Sequence, residues 1–162
     1  PGDHSQITPL ADGLLFLSLL SGRNPEYLIE QQIKAVPLLQ NTQLEVIPTG
    51  YILIDGGHRS SVMKVSNTTP IPRSDIQLAV DTAVAGMYKG KQLIYLEAGS
   101  GANSPISTEL IAKVTESINI PLIVGGGIRS KQQLKDAYEN GADLVVIGTA
   151  FEQNFTESSV LI

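Results

Sequence analysis

Three glycine-rich segments carry the residues whose types and spacing suggest a chemistry. Each follows a short apolar run, and their sequences are Tyr95-Leu96-Glu97-Ala98-Gly99-Ser100-Gly101, Val124-Gly125-Gly126-Gly127-Ile128-Arg129-Ser130 and Ile147-Gly148-Thr149-Ala150. Glycine lets a chain turn with positive φ and brings its N–H groups close to an anion. A helix N-terminus after such a turn adds unpaired N–H groups and partial positive charge. The pattern predicts a phosphate site, although any one of these turns could be only a tight loop.

Glu97 is the ionisable group that this pattern places best for chemistry. It ends an apolar run and precedes a glycine-rich turn, so we expect its side chain to face the same site. The carboxylate could take a proton from a substrate hydroxyl, or it could only hydrogen-bond to substrate or to a neighbouring loop. Tyr95 lies two residues earlier on the same strand face, where it either bonds a substrate oxygen or fills space.

Other polar residues near these segments receive weaker assignments. Arg129 could clasp a phosphate, but pairing with a surface carboxylate is the favoured interpretation. His58 lies in a long loop and is assigned no role, and Asp55 is interpreted as a cap in preference to a site carboxylate. The sequence contains two histidines and no cysteine, and no spacing typical of metal ligands is visible.

The elements that must position these segments follow from the alternation of short apolar runs with longer amphipathic ones. Fully apolar strands separated by helices indicate a parallel sheet that is covered on both faces. The runs predict strands at 14–20, 44–47 with 51–54, 92–96, 121–124 and 143–147. They predict helices at 25–40, 74–88, 107–118 and 130–140, a further helix from 151, and a long loop over 56–73.

The predicted fold class is α/β, a (β/α)8 TIM barrel of which residues 1–162 supply about five C-terminal βα units of a single domain. Such barrels have eight units and about 250 residues, so we expect about three units to precede this chain. The alternative is a complete five-stranded doubly wound domain. In a barrel, the active site lies at the carboxyl ends of the strands, and phosphate often binds after the last two of them.

Composition narrows the function further. The net charge is −5 and no Lys/Arg cluster is present, which argues against a nucleic-acid partner. The absence of cysteine excludes a disulfide framework and a Cys nucleophile, and it is compatible with the cytoplasm, which is the predicted location. Residues 1–6 are polar, so no signal peptide is expected, and the apolar stretch at 14–20 is too short to span a bilayer.

Several stretches resemble the geranylgeranylglyceryl phosphate synthase family, which includes the bacterial heptaprenylglyceryl phosphate synthases. The matching stretches are 15–28, 45–57, 66–72, 95–101 and 124–129, and the resemblance runs over nearly the whole chain, up to Thr149. The triple glycine is shared with many phosphate-binding barrels. The runs Ser-Gly-Arg-Asn-Pro-Glu and Ile-Pro-Thr-Gly-Tyr are much more specific.

This resemblance implies a prenyltransferase that joins sn-glycerol 1-phosphate to a polyprenyl diphosphate, geranylgeranyl or longer. The reaction releases diphosphate and forms an ether-lipid precursor. By analogy, Glu97 would be the base for the C3 hydroxyl. The residues that would hold glycerol phosphate are Tyr95, Leu96, Glu97, Ala98, Gly99, Ser100, Gly101, Gly125, Gly126, Gly127, Gly148 and Thr149.

The resemblance also implies a cofactor and partners. Family members use Mg²⁺ on the diphosphate, which neutralises the leaving group. Their metal-binding aspartate strand would lie before Pro1, so we assign no metal ligand in this chain and expect the chain alone to be inactive. Relatives commonly form dimers or larger homo-oligomers, and a lipidic substrate would bring transient membrane contact.

Two other functions stay open on sequence alone. The first is another phosphate-binding barrel enzyme, such as a sugar-phosphate isomerase or cyclase. Such enzymes usually place acid and base groups on several strand ends, and Glu97 is the one convincing carboxylate in these segments. The second is a barrel fragment without catalytic activity.

Overall fold

A parallel five-stranded sheet forms the centre of the molecule in the computed structural model, which describes residues 3–149. The strands are β1 (Gly13–Leu19), β2 (Glu45–Leu53), β3 (Leu93–Glu97), β4 (Leu122–Gly125) and β5 (Leu144–Val146). They lie side by side in chain order, and each pairs in parallel with the next. A doubly wound sheet reverses its strand order at a switch point, whereas barrel units follow one another without reversal. The order confirms the α/β barrel-type fold and rules out the doubly wound alternative.

Helices connect these strands, and most of them begin at a side-chain cap. They are α1 (Gln31–Leu39), which follows a π-helical turn (Glu26–Glu30), α2 (Ser61–Ser66), α3 (Ile76–Tyr88), α4 (Thr108–Ser117) and α5 (Lys131–Glu139). Ser107 and Ser130 accept hydrogen bonds from the N–H groups of Leu110 and Gln133. These caps satisfy amides that would otherwise be unpaired, which is why α4 and α5 begin close to their predicted positions.

The core lies between the sheet and its helices and is aliphatic. Alternate strand residues such as Ile52, Ile94 and Leu96 are fully buried and pack against α3 and α4. The other face of the sheet carries the intervening residues, because successive side chains of a strand point to opposite sides. Tyr51, Tyr95 and Glu97 share that second face, which is the inner face of a barrel.

Two predicted element boundaries are wrong. β2 runs without a break through 48–50, because Pro48 lacks an N–H but its carbonyl still accepts from Gln92 N at 2.7 Å. The predicted loop at 56–73 contains the short helix α2 and a bridge between Ile54 and Ile71. The helix predicted from 151 lies outside the described residues. None of the described helices combines the length and hydropathy that crossing a bilayer requires.

Candidate functional site

The three glycine-rich turns meet at the carboxyl ends of β3, β4 and β5. They line one cavity of about 110 Å³, called the glycine pocket below. A contact joins the first turn to the third, because Ser100 Oγ lies 3.1 Å from Thr149 Oγ1. The lining residues are Glu97, Ser100, Gly101, Gly126, Gly127, Ile128, Arg129, Val146, Ile147, Gly148 and Thr149. The structure therefore brings together segments that are about fifty residues apart in the chain.

The triple glycine is required by close packing as well as by backbone conformation. Gly126 and Gly127 have φ of 86° and 76°. A Cβ on Gly126 would lie 2.7 Å from Glu97 Oε1 and 2.8 Å from the N atom of Gly99. A Cβ on Gly125 would lie 2.7 Å from Glu97 Oε2. Gly125 and Gly126 therefore leave the space that the Glu97 carboxylate occupies. Glycines that served only a tight turn would not need to leave this space.

Free main-chain donors are available in the first two turns. Among residues 3–149, no protein acceptor pairs with the N–H groups of Ser100, Gly101, Gly127 or Ile128. Three of these residues, Ser100, Gly127 and Ile128, follow glycines with positive φ. Unpaired amides that line one cavity form a nest for an anion without any cluster of basic side chains. This arrangement suits an acidic protein that binds a phosphorylated ligand.

Glu97 is the buried carboxylate of the pocket. Only 8% of its surface is exposed, and its Oε1 accepts from Gly99 N at 2.7 Å. The Tyr95 hydroxyl donates a second hydrogen bond to the carboxylate. Burial raises the pKa of Glu97, while these two hydrogen bonds oppose the rise. A carboxylate with a raised pKa accepts a proton more readily than an exposed one.

Two tyrosines flank the carboxylate on the inner face of the sheet. The rings of Tyr51 and Tyr95 meet edge to face, with centroids 5.0 Å apart. Burial and the negative charge of Glu97 raise the pKa of both phenols, so both hydroxyls stay protonated at neutral pH. Tyr95 can therefore act as a hydrogen-bond donor that orients Glu97.

A second cavity of about 400 Å³ lies beside β1, β2 and α2 and is called the apolar groove below. Its wall is mainly aliphatic and aromatic, with a few polar groups at Asp3, Gln6, Ser61 and Ser66. The apolar lining residues are Leu17, Leu19, Tyr27, Tyr51, Val62 and Val65. One residue of this wall, Tyr51, contacts Tyr95, which interacts with the Glu97 carboxylate.

Comparison with known proteins identifies the family. The sequence profile of the PcrB family matches residues 1–161. This chain belongs to the PcrB family. The curated relatives described below are named geranylgeranylglyceryl phosphate synthase, which is the family that the sequence motifs resemble. The comparisons therefore confirm the resemblance seen in the sequence.

These relatives come from bacteria and archaea. The geranylgeranylglyceryl phosphate synthase of Zunongwangia profunda is 66% identical over 94% of this chain and 65% of its own length. That of Thermococcus gammatolerans is 44% identical over 94% of this chain and 60% of its own length. The chain therefore spans less than two thirds of the length of these PcrB-family relatives.

Solved structures agree with the fold. The (S)-3-O-geranylgeranylglyceryl phosphate synthase from Thermoplasma acidophilum, in complex with substrate sn-glycerol-1-phosphate, has a TM-score of 0.85 and 38% identity. The alignment covers 91% of this chain and 59% of that one. Wild-type GGGPS from Thermoplasma volcanium has a TM-score of 0.90 and 38% identity, over 99% of this chain and 64% of that one. The fold of this chain therefore matches about three fifths of each of these two structures.

The predicted site residues divide into three groups within this PcrB-family fold. Glu97, Ser100, Gly101, Gly126, Gly127, Gly148 and Thr149 line the glycine pocket. Tyr95, Gly99 and Gly125 lie directly behind it and contact the Glu97 carboxylate or leave room for it. Leu96 and Ala98 have their side chains in the helix-facing core, so only their main chain could reach a ligand.

The structure adds residues that the predicted set lacked. Ile128, Arg129, Val146 and Ile147 also line the pocket. The favoured pairing of Arg129 with a surface carboxylate is wrong. Its Nη2 donates to Ala102 O at 2.8 Å and its Nη1 to Asn103 O at 3.3 Å, and no described carboxylate pairs with it. Its place two residues after the triple glycine was the signal for a pocket residue.

Metal-binding side chains are not clustered in the part of the chain that the structure describes. Within residues 3–149, no group of three or more His, Asp or Glu side chains is close enough to hold a metal ion. Mg²⁺ commonly binds through one or two carboxylates together with substrate phosphates. Glu97 is already hydrogen-bonded to Gly99 and Tyr95. Among the described residues, the glycine pocket therefore offers a single carboxylate, which a protein donor already engages.

Proposed function

We propose that this chain carries the glycerol-phosphate site of a prenyltransferase that joins sn-glycerol 1-phosphate to a polyprenyl diphosphate. The observation that supports this most strongly is the convergence of three glycine-rich turns on a buried carboxylate. The Thermoplasma acidophilum relative, 38% identical, binds sn-glycerol-1-phosphate. Because this chain spans only part of its relatives, the activity belongs to the proposal.

The phosphate would sit among the free amides of the glycine pocket. The N–H groups of Ser100, Gly101, Gly127 and Ile128 are available there, and the Ser100 and Thr149 hydroxyls lie beside them. Main-chain donors fixed in place before binding cost little reorganisation when the anion arrives. The Arg129 guanidinium adds positive charge at the pocket wall.

Glu97 would act as the base in the transfer step. Its carboxylate takes the proton of the glycerol C3 hydroxyl, and that oxygen forms a bond to C1 of the prenyl chain. The bond between C1 and the diphosphate oxygen breaks, and diphosphate leaves with the electron pair. The Gly99 N–H and the Tyr95 hydroxyl hold the carboxylate in place.

The prenyl chain would lie in the apolar groove. Leu17, Leu19 and Val62 offer an aliphatic wall, and Tyr51 of the same groove contacts Tyr95. Tyr95 in turn interacts with the Glu97 carboxylate. A substrate with a phosphate at one end and a hydrocarbon at the other matches a polar pocket beside an apolar groove.

The same proposal includes transient membrane contact, a cytoplasmic location and homo-oligomerisation.

Mg²⁺ dependence is also part of the proposal, with its ligands outside the described residues. The ion would be held by the diphosphate and by carboxylates that residues 3–149 do not contribute. Its chemistry would be to neutralise the leaving diphosphate. We further propose that the chain alone is inactive in prenyl transfer, while it retains the glycerol-phosphate site.

A sugar-phosphate isomerase or cyclase is the weaker alternative. Such reactions need a second acid or base close to the first. Among the described residues that line the glycine pocket, Glu97 is the one carboxylate and no histidine or lysine accompanies it. This composition favours a reaction that needs a single base.

The binding half of the proposal can be tested by calorimetry on the chain itself. We expect sn-glycerol 1-phosphate to bind more tightly than its enantiomer sn-glycerol 3-phosphate, because the phosphate nest, the Glu97 carboxylate and the wall of the glycine pocket would contact the glycerol at three different points, which a distinction between enantiomers requires. Equal binding of the two enantiomers, or no binding of either, would contradict the assignment.

The catalytic half needs a more complete protein. A chimera would join the residues of the Zunongwangia profunda relative that the match does not cover to this chain. With Mg²⁺ and geranylgeranyl diphosphate it should form the ether product, while the chain alone should not. Glu97→Gln in the chimera should lower kcat by about 10²–10⁴-fold with little change in glycerol-phosphate affinity. An unchanged kcat would remove Glu97 as the base.

A further inference from the structure

His58 contacts the first glycine-rich turn from outside the glycine pocket. Its Nε2 lies 3.0 Å from the carbonyl oxygen of Ser100, and it is not among the pocket-lining residues. A Cβ on Gly99 would lie 2.7 Å from Ser60 Cβ and 3.6 Å from His58 Cε1. The 58–60 segment therefore packs directly against Gly99 of the turn.

The tautomer of His58 follows from its partner. A carbonyl oxygen can only accept a hydrogen bond, so Nε2 must carry the hydrogen. The other ring nitrogen, Nδ1, is buried and has no hydrogen-bond partner among the described residues. A hydrogen on Nδ1 would be a buried donor without an acceptor, which is costly. Both ring nitrogens therefore favour the Nε2–H form.

This hydrogen bond fixes the direction of a neighbouring amide. The peptide bonds of residues 3–149 are all trans. In a trans peptide unit, the C=O of one residue and the N–H of the next point in opposite directions. Because the Ser100 carbonyl is directed to His58, the Gly101 N–H is directed away from His58. Gly101 lines the glycine pocket, and its N–H has no protein acceptor there.

The rest of the turn is held in the same way. Arg129 donates to the carbonyl oxygens of Ala102 and Asn103, and Arg73 donates to those of Ser104 and Pro105. Main-chain carbonyls that side chains bind in this way cannot rotate toward a bound anion and repel it. His58 holds the peptide unit between Ser100 and Gly101. This is the one unit of the series whose free N–H belongs to a residue of the glycine pocket.

We propose that His58 is a positioning residue for phosphate binding: through the Ser100 carbonyl it orients the Gly101 N–H into the glycine pocket. The inference rests on the proposed function, since it assumes that the pocket binds a phosphate group. His58 itself does not touch the ligand.

The test compares three variants of the chain. His58→Phe keeps an aromatic ring but removes the donor, and His58→Gln keeps an N–H donor of similar reach. Arg59→Gln is the control, because Arg59 is the exposed neighbour and no hydrogen bond or ion pair holds it among the described residues.

Calorimetry measures Kd for sn-glycerol 1-phosphate and for inorganic phosphate. We expect His58→Phe to weaken the binding of both ligands by about tenfold, because the Gly101 N–H that would bond the charged phosphate no longer points at it. His58→Gln should stay within about threefold of the unmodified chain, and Arg59→Gln should match it.

Two NMR measurements separate positioning from a loss of stability. The Gly101 amide resonance should shift on phosphate addition in the unmodified chain and in His58→Gln, but less in His58→Phe. The imidazole ¹⁵N shifts of the unmodified chain should show the hydrogen on Nε2, and this readout holds even if a variant fails to fold. A hydrogen on Nδ1, or phosphate affinity of a folded His58→Phe equal to that of the unmodified chain, overturns the inference. If the unmodified chain binds neither ligand, the proposed function has failed instead.

Discussion

The glycine pocket and the apolar groove are neighbours that are built in opposite ways. The glycine pocket is small, and its donors are main-chain amides fixed by glycine conformation. The apolar groove is nearly four times larger, and its wall consists of aliphatic and aromatic side chains. Tyr51 and Tyr95 lie between them. The two regions should therefore respond differently to substitution.

A site made of main chain tolerates little change of shape. One added methyl group can occupy the space of the ligand or of Glu97, and no side chain can rotate away to compensate. A groove made of side chains can adjust its packing and loses affinity gradually.

Gly126→Ala should nearly abolish glycerol-phosphate binding. The added Cβ would lie 2.7 Å from Glu97 Oε1 on a residue whose φ is 86°. We expect a loss of affinity of about 100-fold or more and a loss of stability of about 1–3 kcal/mol. Calorimetry and urea unfolding measure the two effects.

Gly90→Ala is the matched control for backbone strain. Gly90 also has positive φ, of 82°, but a Cβ there would meet no atom within 4 Å. It should lower stability without changing affinity. If the two variants lost affinity equally, the pocket would not be the reason for the loss.

Val65→Asp should weaken binding of geranylgeranyl diphosphate by about fivefold and leave glycerol-phosphate affinity unchanged. Val65 lines the apolar groove but is 65% exposed, so the substitution should change the free energy of unfolding by no more than about 0.5 kcal/mol. Val36→Asp is the control, since Val36 is 44% exposed on α1 and does not line the groove. A parallel loss of glycerol-phosphate affinity in Val65→Asp would show that the two regions are not independent.

Glu97→Gln should change the pH dependence of stability. Burial raises the pKa of Glu97 above 4.5 in the folded chain, so the folded state holds its proton to higher pH than the unfolded state does. Stability therefore falls as pH rises from about 4.5 through the raised pKa, and the variant escapes this loss. Urea unfolding at several pH values should show the variant gaining stability relative to the unmodified chain as pH rises. A relative gain on acidification would mean that the sign is wrong.

Much of the fold could be predicted because the signals are local. The strands follow from buried apolar runs, and α4 and α5 begin at serine caps that are visible in the sequence. Helix α2 was missed because six residues are too few to show helical periodicity. The continuity of β2 was missed because proline was interpreted as a break, although its carbonyl still pairs.

The meeting of the glycine-rich turns with Glu97 at one pocket could be predicted from the sequence, but the contacts that support these turns could not. His58 and Arg129 bond carbonyl oxygens, and every residue carries one, so no side-chain type marks the partner in the sequence. The partner of His58 is 42 residues away in the chain. Contacts of this kind become visible only when the three-dimensional path of the turn is known.

The convergence of the glycine-rich turns on one anion is tested most directly by NMR titration of the chain with sn-glycerol 1-phosphate. The amide resonances of Gly101, Gly127, Ile128 and Thr149 should shift together along a single binding curve, while that of Gly90 stays in place. Shifts in only one turn, or in none of the three, would contradict a shared phosphate site.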